Sequence, residues 1–284
     1  MTSIPLADVL ERHHLLGLAW HAAEAAAAFL ANDRPAELAV DTKSSPTDAV
    51  TEMDRGAEAR LIDALLGARP HDGLLGEEGG ERPGSSGVRW VVDPLDGTVN
   101  YLYGMPSWAV SVAAEEDGEC VVGVVVAPML GEAYVGILHG GAWRITGGLA
   151  HRITVRECES LSRALVSTGL GYSAQRRSEQ ARVMLDLAPL VRDFRRVGAA
   201  VLDLCWLAEG RLDAHYEEGL NRWDIAAGGL IAAEAGALVG GLRSTDRYEG
   251  VLVAAVPAID GELRSALMSA AAGLEQKTET PSDI

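Results

Sequence analysis

An apolar run, Trp90-Val91-Val92, meets Asp93-Pro94 and continues as Leu95-Asp96-Gly97-Thr98. No other junction constrains the fold as tightly. Val91 and Val92 read as the end of a buried strand. Pro94 has no N–H to give a sheet ladder, which predicts that the strand stops near Asp93. The chain must then turn, and Gly97-Thr98 reads as the entry to a new element. Two carboxylates three residues apart on a tight turn call for a cation between them. Hard divalent cations take such oxygens, and Mg2+ accepts a few of them together with substrate phosphate. Backbone N–H groups near Gly97 and Thr98 supply donors for that phosphate.

Other segments provide what this turn lacks. Leu74-Leu75-Gly76-Glu77-Glu78 places two acids after a short apolar run. Asn221-Arg222-Trp223-Asp224 opens an apolar helix with an acid. Lys43-Ser44-Ser45-Pro46 is a polar loop, followed by Thr51 as a helix cap and Asp54 in the first turn. With these motifs in this order, the chain resembles the inositol monophosphatase family of metal-dependent sugar phosphatases from about Asp41 to Val256. The anchors are Gly76-Glu77-Glu78, Asp93-Pro94-Leu95-Asp96-Gly97-Thr98 and Trp223-Asp224-x-x-Ala227-Gly228.

The resemblance implies two or three Mg2+ ions held by Glu77, Asp93, Asp96, Asp224 and the Leu95 carbonyl. It implies that Glu77 helps deprotonate the attacking water and that Thr98, polarised by Asp54, orients it. Gly97, Thr98, Asp96, Gly198, Ala199, Ala200, Glu217 and Asp224 are then expected around the substrate. Lys43 would support a further metal; otherwise it is a solvated loop residue. An acid in a first helical turn is also favourable without catalysis, so Asp54 has a plain capping role available. The expected activity is Mg-dependent hydrolysis of myo-inositol 1-phosphate or a similar polyol phosphate, inhibited by Li+. Histidinol phosphate, fructose 1,6-bisphosphate and nucleotide 3′-phosphates remain alternatives, as does a non-catalytic protein-binding regulator. Ala199 stands where a hydroxyl residue is common in the family. A homodimer is expected.

Composition sets limits. Of 284 residues, 24 are basic and 41 acidic, a net charge of −17. That argues against a nucleic-acid partner, which needs a basic footprint. Cys120, Cys158 and Cys205 are widely spaced, with no zinc pattern, and are expected to be buried and free. The Ala-rich stretch 21–30 is interrupted by Glu24 and too short to span a bilayer. No secretory signal is read at the start, so no membrane contact and a cytoplasmic location are expected. Gly169-Leu170-Gly171-Tyr172-Ser173-Ala174 matches a loose dinucleotide fingerprint, but the acid that should close the next strand is misplaced. It reads instead as a loop near the substrate entrance.

Periodicity predicts helices over 4–31 and 51–68 with a loop over 32–46 between them. Short strands follow over 88–92, 108–114, 121–126, 133–138, 142–145 and 152–155. After Ser160, strands at 164–167, 194–197, 213–216 and 250–256 alternate with helices at 178–191, 199–209, 224–235 and the chain's end. The expected fold is α+β / α/β, a layered αβαβα sandwich of the sugar-phosphatase type. Residues 1–157 form an antiparallel-sheet half carrying most metal ligands, and 158–274 a three-layer α/β half completing the substrate site. Residues 275–284 read as a disordered tail.

Overall fold

The computed structural model describes residues 3–42 and 49–278. Lys43 and the Lys-Ser-Ser-Pro loop lie outside the described residues. Two sheets carry the fold. The first has nine strands among the described residues, in the order Ser3–Pro5, Leu149–Ile153, Gly141–Thr146, Glu132–Ile137, Glu119–Ala127, Ala109–Glu116, Val88–Asp96, Gly73–Gly76, Gly80–Arg82. Its neighbours run antiparallel except Gly73–Gly76 beside Val88–Asp96. The second has the order Asp193–Arg195, Leu165–Thr168, Ala214–Glu218, Val251–Ala255, Leu238–Gly241. Its first two pairings are parallel and the rest antiparallel.

The helices complete the expected αβαβα layering. Leu16–Asn32 and Glu52–Ala68 cover the outer face of the nine-stranded sheet. Ala200–Ala208 and Arg222–Glu234 lie between the sheets, and Ala174–Leu187 with Pro257–Thr278 closes the far side. The central strands are apolar throughout because both faces are buried. Successive residues alternate sides: Trp90 and Val92 join the outer core, Val91 the inner one. Small residues bring the middle layer close: a Cβ at Gly123 would sit 2.8 Å from the Ala227 carbonyl. No helix among the described residues is long and apolar enough to cross a membrane.

Several expectations are corrected. The strand Val88–Asp96 runs through Pro94 instead of ending at Asp93. Asp93 pairs with Ser111 and Asp96 with Ala109, with a register shift between them. Pro94 sits in that bulge, where its missing N–H leaves no ladder bond unmade. The single helix over 4–31 is instead strand Ser3–Pro5, helix Leu6–Leu10 and helix Leu16–Asn32. Ser3–Pro5 adds to the sheet edge at Leu149–Ile153, a long-range pairing that overrides local helical periodicity. Val40–Thr42, expected in a loop, pairs with Ala49–Thr51. The helix placed over 178–191 starts at Ala174, where Ser173 Oγ accepts the Arg176 N–H at 3.1 Å, and ends at Leu187. The last helix continues to Thr278, past the expected start of the tail at 275. The three cysteines are buried and free.

Candidate active site

The bulge at Pro94 aims the two acids. Asp93 Oδ1 accepts the Leu95 N–H at 2.9 Å, folding the chain over the proline. Asp96 then reaches the middle layer, where its Oδ2 accepts the Val201 N–H at 2.7 Å at the start of helix Ala200–Ala208. A carboxylate is favoured there by free N–H groups and the helix dipole. Gly97 follows with φ +92°, and a Cβ there would press on the Ser107 carbonyl at 3.0 Å. Only glycine makes this turn without strain.

Thr98 begins helix Thr98–Leu102 and faces helix Glu52–Ala68. Its Oγ1 donates to Asp54 Oδ1 at 2.8 Å and lies 3.1 Å from the Leu95 carbonyl. With one hydroxyl proton, the shorter, charge-assisted contact to Asp54 wins. That leaves the Leu95 carbonyl oxygen with lone pairs to offer. Asp54 is buried, and its other oxygen accepts the Thr51 N–H at 2.8 Å in a capping box. The capping role and the contact to Thr98 therefore coexist on one carboxylate. Asp224 is also in a capping box, its Oδ2 accepting the Asn221 N–H at 2.6 Å.

Glu77, in the turn after strand Gly73–Gly76, faces Asp93, Asp96 and Asp224. Burial, then the charges of Glu77, Asp96 and Asp224, hold Asp93 well above the usual carboxylate range. Asp224 is raised in the same way, by burial and then Asp96. Burial pushes Asp96 up to about 7, against the Val201 N–H. The four carboxylates raise one another's pKa, and with the Leu95 carbonyl they offer hard oxygen donors of the kind a divalent cation takes, an ion that would relieve their mutual repulsion. These residues therefore fit the expected Mg2+ ions.

Glu77, Asp96, Gly97, Gly198, Ala199, Ala200, Glu217 and Asp224 line one cleft. Asp93, Leu95, Thr98 and Asp54 are buried at its base. Gly169, Leu170, Gly171 and Tyr172 form part of its wall, as expected of a loop near the entrance. Gly169 is small for a local reason: a Cβ there would collide with the Glu217 carboxylate. Lys43 lies outside the described residues.

The chain matches the model of the inositol monophosphatase family over residues 11–276. The chain belongs to the inositol monophosphatase family. An inositol-1-monophosphatase of Mycobacterium bovis is 48% identical over 237 residues, covering 81% of each chain. The crystal structure of extragenic suppressor protein suhB from Bartonella henselae superposes with a TM-score of 0.84 at 33% identity, covering 90% of this chain and 98% of that one. A Pasteurella multocida protein named Nus factor SuhB is 38% identical over 226 residues, covering 78% of this chain and 83% of its own length.

Several residues of the site had not been singled out. Glu58, one turn after Asp54, is buried and accepts the Glu78 N–H at 3.1 Å, fastening the turn that carries Glu77. Its signal is an acid at i+4 on the helix face that also holds Ala57 and Leu61. Asn100 Nδ2 donates to the Ser107 and Val197 carbonyls at 2.6 and 2.9 Å, tying the Gly97 turn to the Gly198 turn. Behind Glu217, His215 is fully buried and burial pushes it down to about 3, so it is neutral. Its Nδ1 lies 2.9 Å from Ser167 Oγ, and its Nε2 faces Glu217 Oε2 at 3.6 Å. Asp203, held well above the usual range by burial and then Glu217, bonds to Ser167. Asp203 Oδ1 and His215 Nε2 have no hydrogen-bond partner among the described residues, so Glu217 faces a neutral imidazole without a hydrogen bond to it. His215 and Glu217 share a face at i and i+2 of strand Ala214–Glu218, but no sequence spacing links them to Ser167 or Asp203.

Proposed function

We propose that this protein is a Mg2+-dependent phosphomonoesterase acting on a small polyol phosphate, most simply myo-inositol 1-phosphate. One observation carries the reading: Glu77, Asp93, Asp96 and Asp224, from three separate segments, converge beside the Asp54–Thr98 pair. When bound, Mg2+ held by these acids and the Leu95 carbonyl would lower the pKa of water and stabilise the leaving oxygen. The chain's own groups do the rest. Thr98 gives its proton to Asp54, so its oxygen lone pairs accept from the attacking water and fix its direction. Glu77 takes the water's second proton. The N–H groups near Gly97 and Thr98 face the phosphate, while those at the start of helix Ala200–Ala208 go to Asp96. Glu217 accepts hydrogen bonds from ring hydroxyls, and Ala199 and Ala200 let the ring approach the backbone.

The names of similar proteins support the same substrate. A second reading, a protein-binding regulator, draws support from relatives named Nus factor SuhB. Every acid of the cluster is present here, which favours catalysis. The deciding experiment is phosphate release from a panel with Mg2+: myo-inositol 1-phosphate, histidinol phosphate, fructose 1,6-bisphosphate and a nucleotide 3′-phosphate. Turnover led by the polyol esters is expected. No release from any ester would favour the regulator. Stronger inhibition by Li+ than by Na+ is a further expected property.

A further inference from the structure

We propose that His13, His14 and Glu116 form a second metal site, away from the cleft, for a borderline divalent ion of the Zn2+ type. A bound ion would staple the loop before helix Leu16–Asn32 to the end of strand Ala109–Glu116. Such a site would exist whether or not the protein hydrolyses phosphate esters.

The three side chains come from two segments that the fold presses together. His13 and His14 lie in the loop between helices Leu6–Leu10 and Leu16–Asn32. Leu15 and Leu16 are fully buried directly after them, and helix Leu16–Asn32 packs on strands Ala109–Glu116 and Glu119–Ala127. Glu116 ends the first of those strands, where Asp117 at φ +50° and Gly118 at φ +87° make the turn. One ligand atom from each of the three residues lies within 4.8 Å of the others, and His14 Nε2 is 3.3 Å from Glu116 Oε1. Two ligands of a tetrahedral Zn2+ sit on the order of 3.4 Å apart, so the trio needs to close by only about an ångström. None of the three lines the cleft that holds Asp96 and Glu217.

The surroundings leave these groups to one another. Strand alternation sends Glu115 and Glu116 to opposite faces. Glu115 is fully buried and takes both Arg89 and Arg222. Glu116, paired with Val88 on the other face, has His14 as its ion-pair partner and no arginine among the described residues. Arg12, the nearest cation in sequence, lies over the Trp143 ring at 5.2 Å. The two imidazoles stack with centroids 4.8 Å apart, an arrangement that two cations would oppose. Burial, then His14, hold His13 below its ordinary pKa against the pull of Glu116, so it is neutral at pH 7, the form that ligates a metal. Its Nδ1 accepts the Leu15 N–H at 3.3 Å, a long contact that coordination would give up at little cost. Imidazole nitrogens suit borderline ions such as Zn2+, whereas Mg2+ prefers oxygen, and three protein ligands leave a position for water.

The test is calorimetric titration with Zn2+ in the presence of excess Mg2+, comparing the parent protein with His14→Gln and Glu116→Gln. The parent should bind Zn2+, and Kd should rise at least about tenfold in each variant, since losing even an outer partner of a metal ligand costs that much. His14 and Glu116 are 61% and 36% exposed, so both variants should fold, which unchanged circular dichroism checks. Zn2+ should also raise the melting temperature of the parent by more than that of either variant. With histidine labelled by 15N, Zn2+ should shift the ring nitrogens of two of the seven histidines, and those two should be the ones assigned by His13→Gln and His14→Gln. No binding of Zn2+, binding no weaker in the variants, or ring nitrogens of His13 and His14 left unmoved would each overturn the site. Zn2+ that merely displaced Mg2+ from the acid cleft would give the second and third of these results.

Discussion

The acid end of the cleft and the wall that carries Glu217 are held in different ways. At the acid end the main chain does the holding. Asp54, Asp93, Asp96 and Asp224 each commit an oxygen to a backbone N–H, from Thr51, Leu95, Val201 and Asn221. The wall is held by side chains and by space. Glu217 has no backbone donor among the described residues; Gly169 leaves room for it and His215 stands behind it. Backbone anchors fix direction rigidly, as chemistry demands of groups that must converge. A wall held by exchangeable side chains can change substrate without disturbing the acids.

The largest effect should come from breaking the acid end. Asp224→Asn keeps a capping oxygen but replaces a charged ligand with a neutral one. Turnover should fall by at least about a hundredfold, the scale reached by removing even an outer partner of a metal ligand. The metal-free melting temperature should not fall, because a buried charge among like charges has been removed. Near-normal turnover in this variant would erase the distinction between the two regions.

At the wall, effects should appear in KM. Glu217→Gln loses charge-assisted bonds of roughly 1.5–3 kcal/mol each, so KM for inositol 1-phosphate should rise at least about tenfold. A small ester without ring hydroxyls should be affected far less. Equal losses on both substrates would make Glu217 a structural residue. Gly169→Ala sharpens the point, since its methyl group must displace the Glu217 carboxylate. We expect the same substrate-selective rise in KM, several-fold in size, with turnover of the simple ester retained. A substitution at Gly169 that leaves KM unchanged would show that Glu217 needs no such space.

The same contrast explains what the sequence made legible. The acid end rests on local motifs: a strand broken by proline, a glycine turn and two capping boxes, at Thr51 and Asn221. Such motifs bring the donors of Asp54, Asp93 and Asp224 within three residues, whereas Asp96, whose donor Val201 lies 105 residues away, is marked in the sequence by its place in the proline–glycine turn. The layer order was legible too, because antiparallel strands gave way to strand–helix alternation after Ser160. Long-range contacts were not. The pairing of Ser3–Pro5 with Leu149–Ile153, the Asp203–Ser167–His215 chain and the tie from Asn100 to Val197 join segments whose spacing carries no signal. The Pro94 bulge was misread because a proline rule for regular ladders does not foresee an extra residue in the strand.

A smaller effect concerns pH. Asp96 and Glu217 are each pushed up to about 7 by burial. Their folded pKa values exceed the unfolded ones, so the folded protein binds more protons between about pH 4 and 7. That contribution to stability is complete below the unfolded values and is lost as pH rises through about 7. The protein in EDTA should therefore melt a few degrees lower at pH 8 than at pH 5. Asp96→Asn should narrow the difference, and Mg2+ should raise the melting temperature more at pH 8. A metal-free protein equally stable at both values would contradict the strain assigned to the acid end.

The most direct measurement is phosphate release from myo-inositol 1-phosphate before and after removal of divalent ions. Protein treated with EDTA and then titrated with Mg2+ should lose its turnover and regain it. Asp96→Asn should recover none at the concentration that restores the parent. Turnover that persists through chelation, or that Asp96→Asn regains in full, would contradict the claim that these four carboxylates are built to hold the catalytic metal.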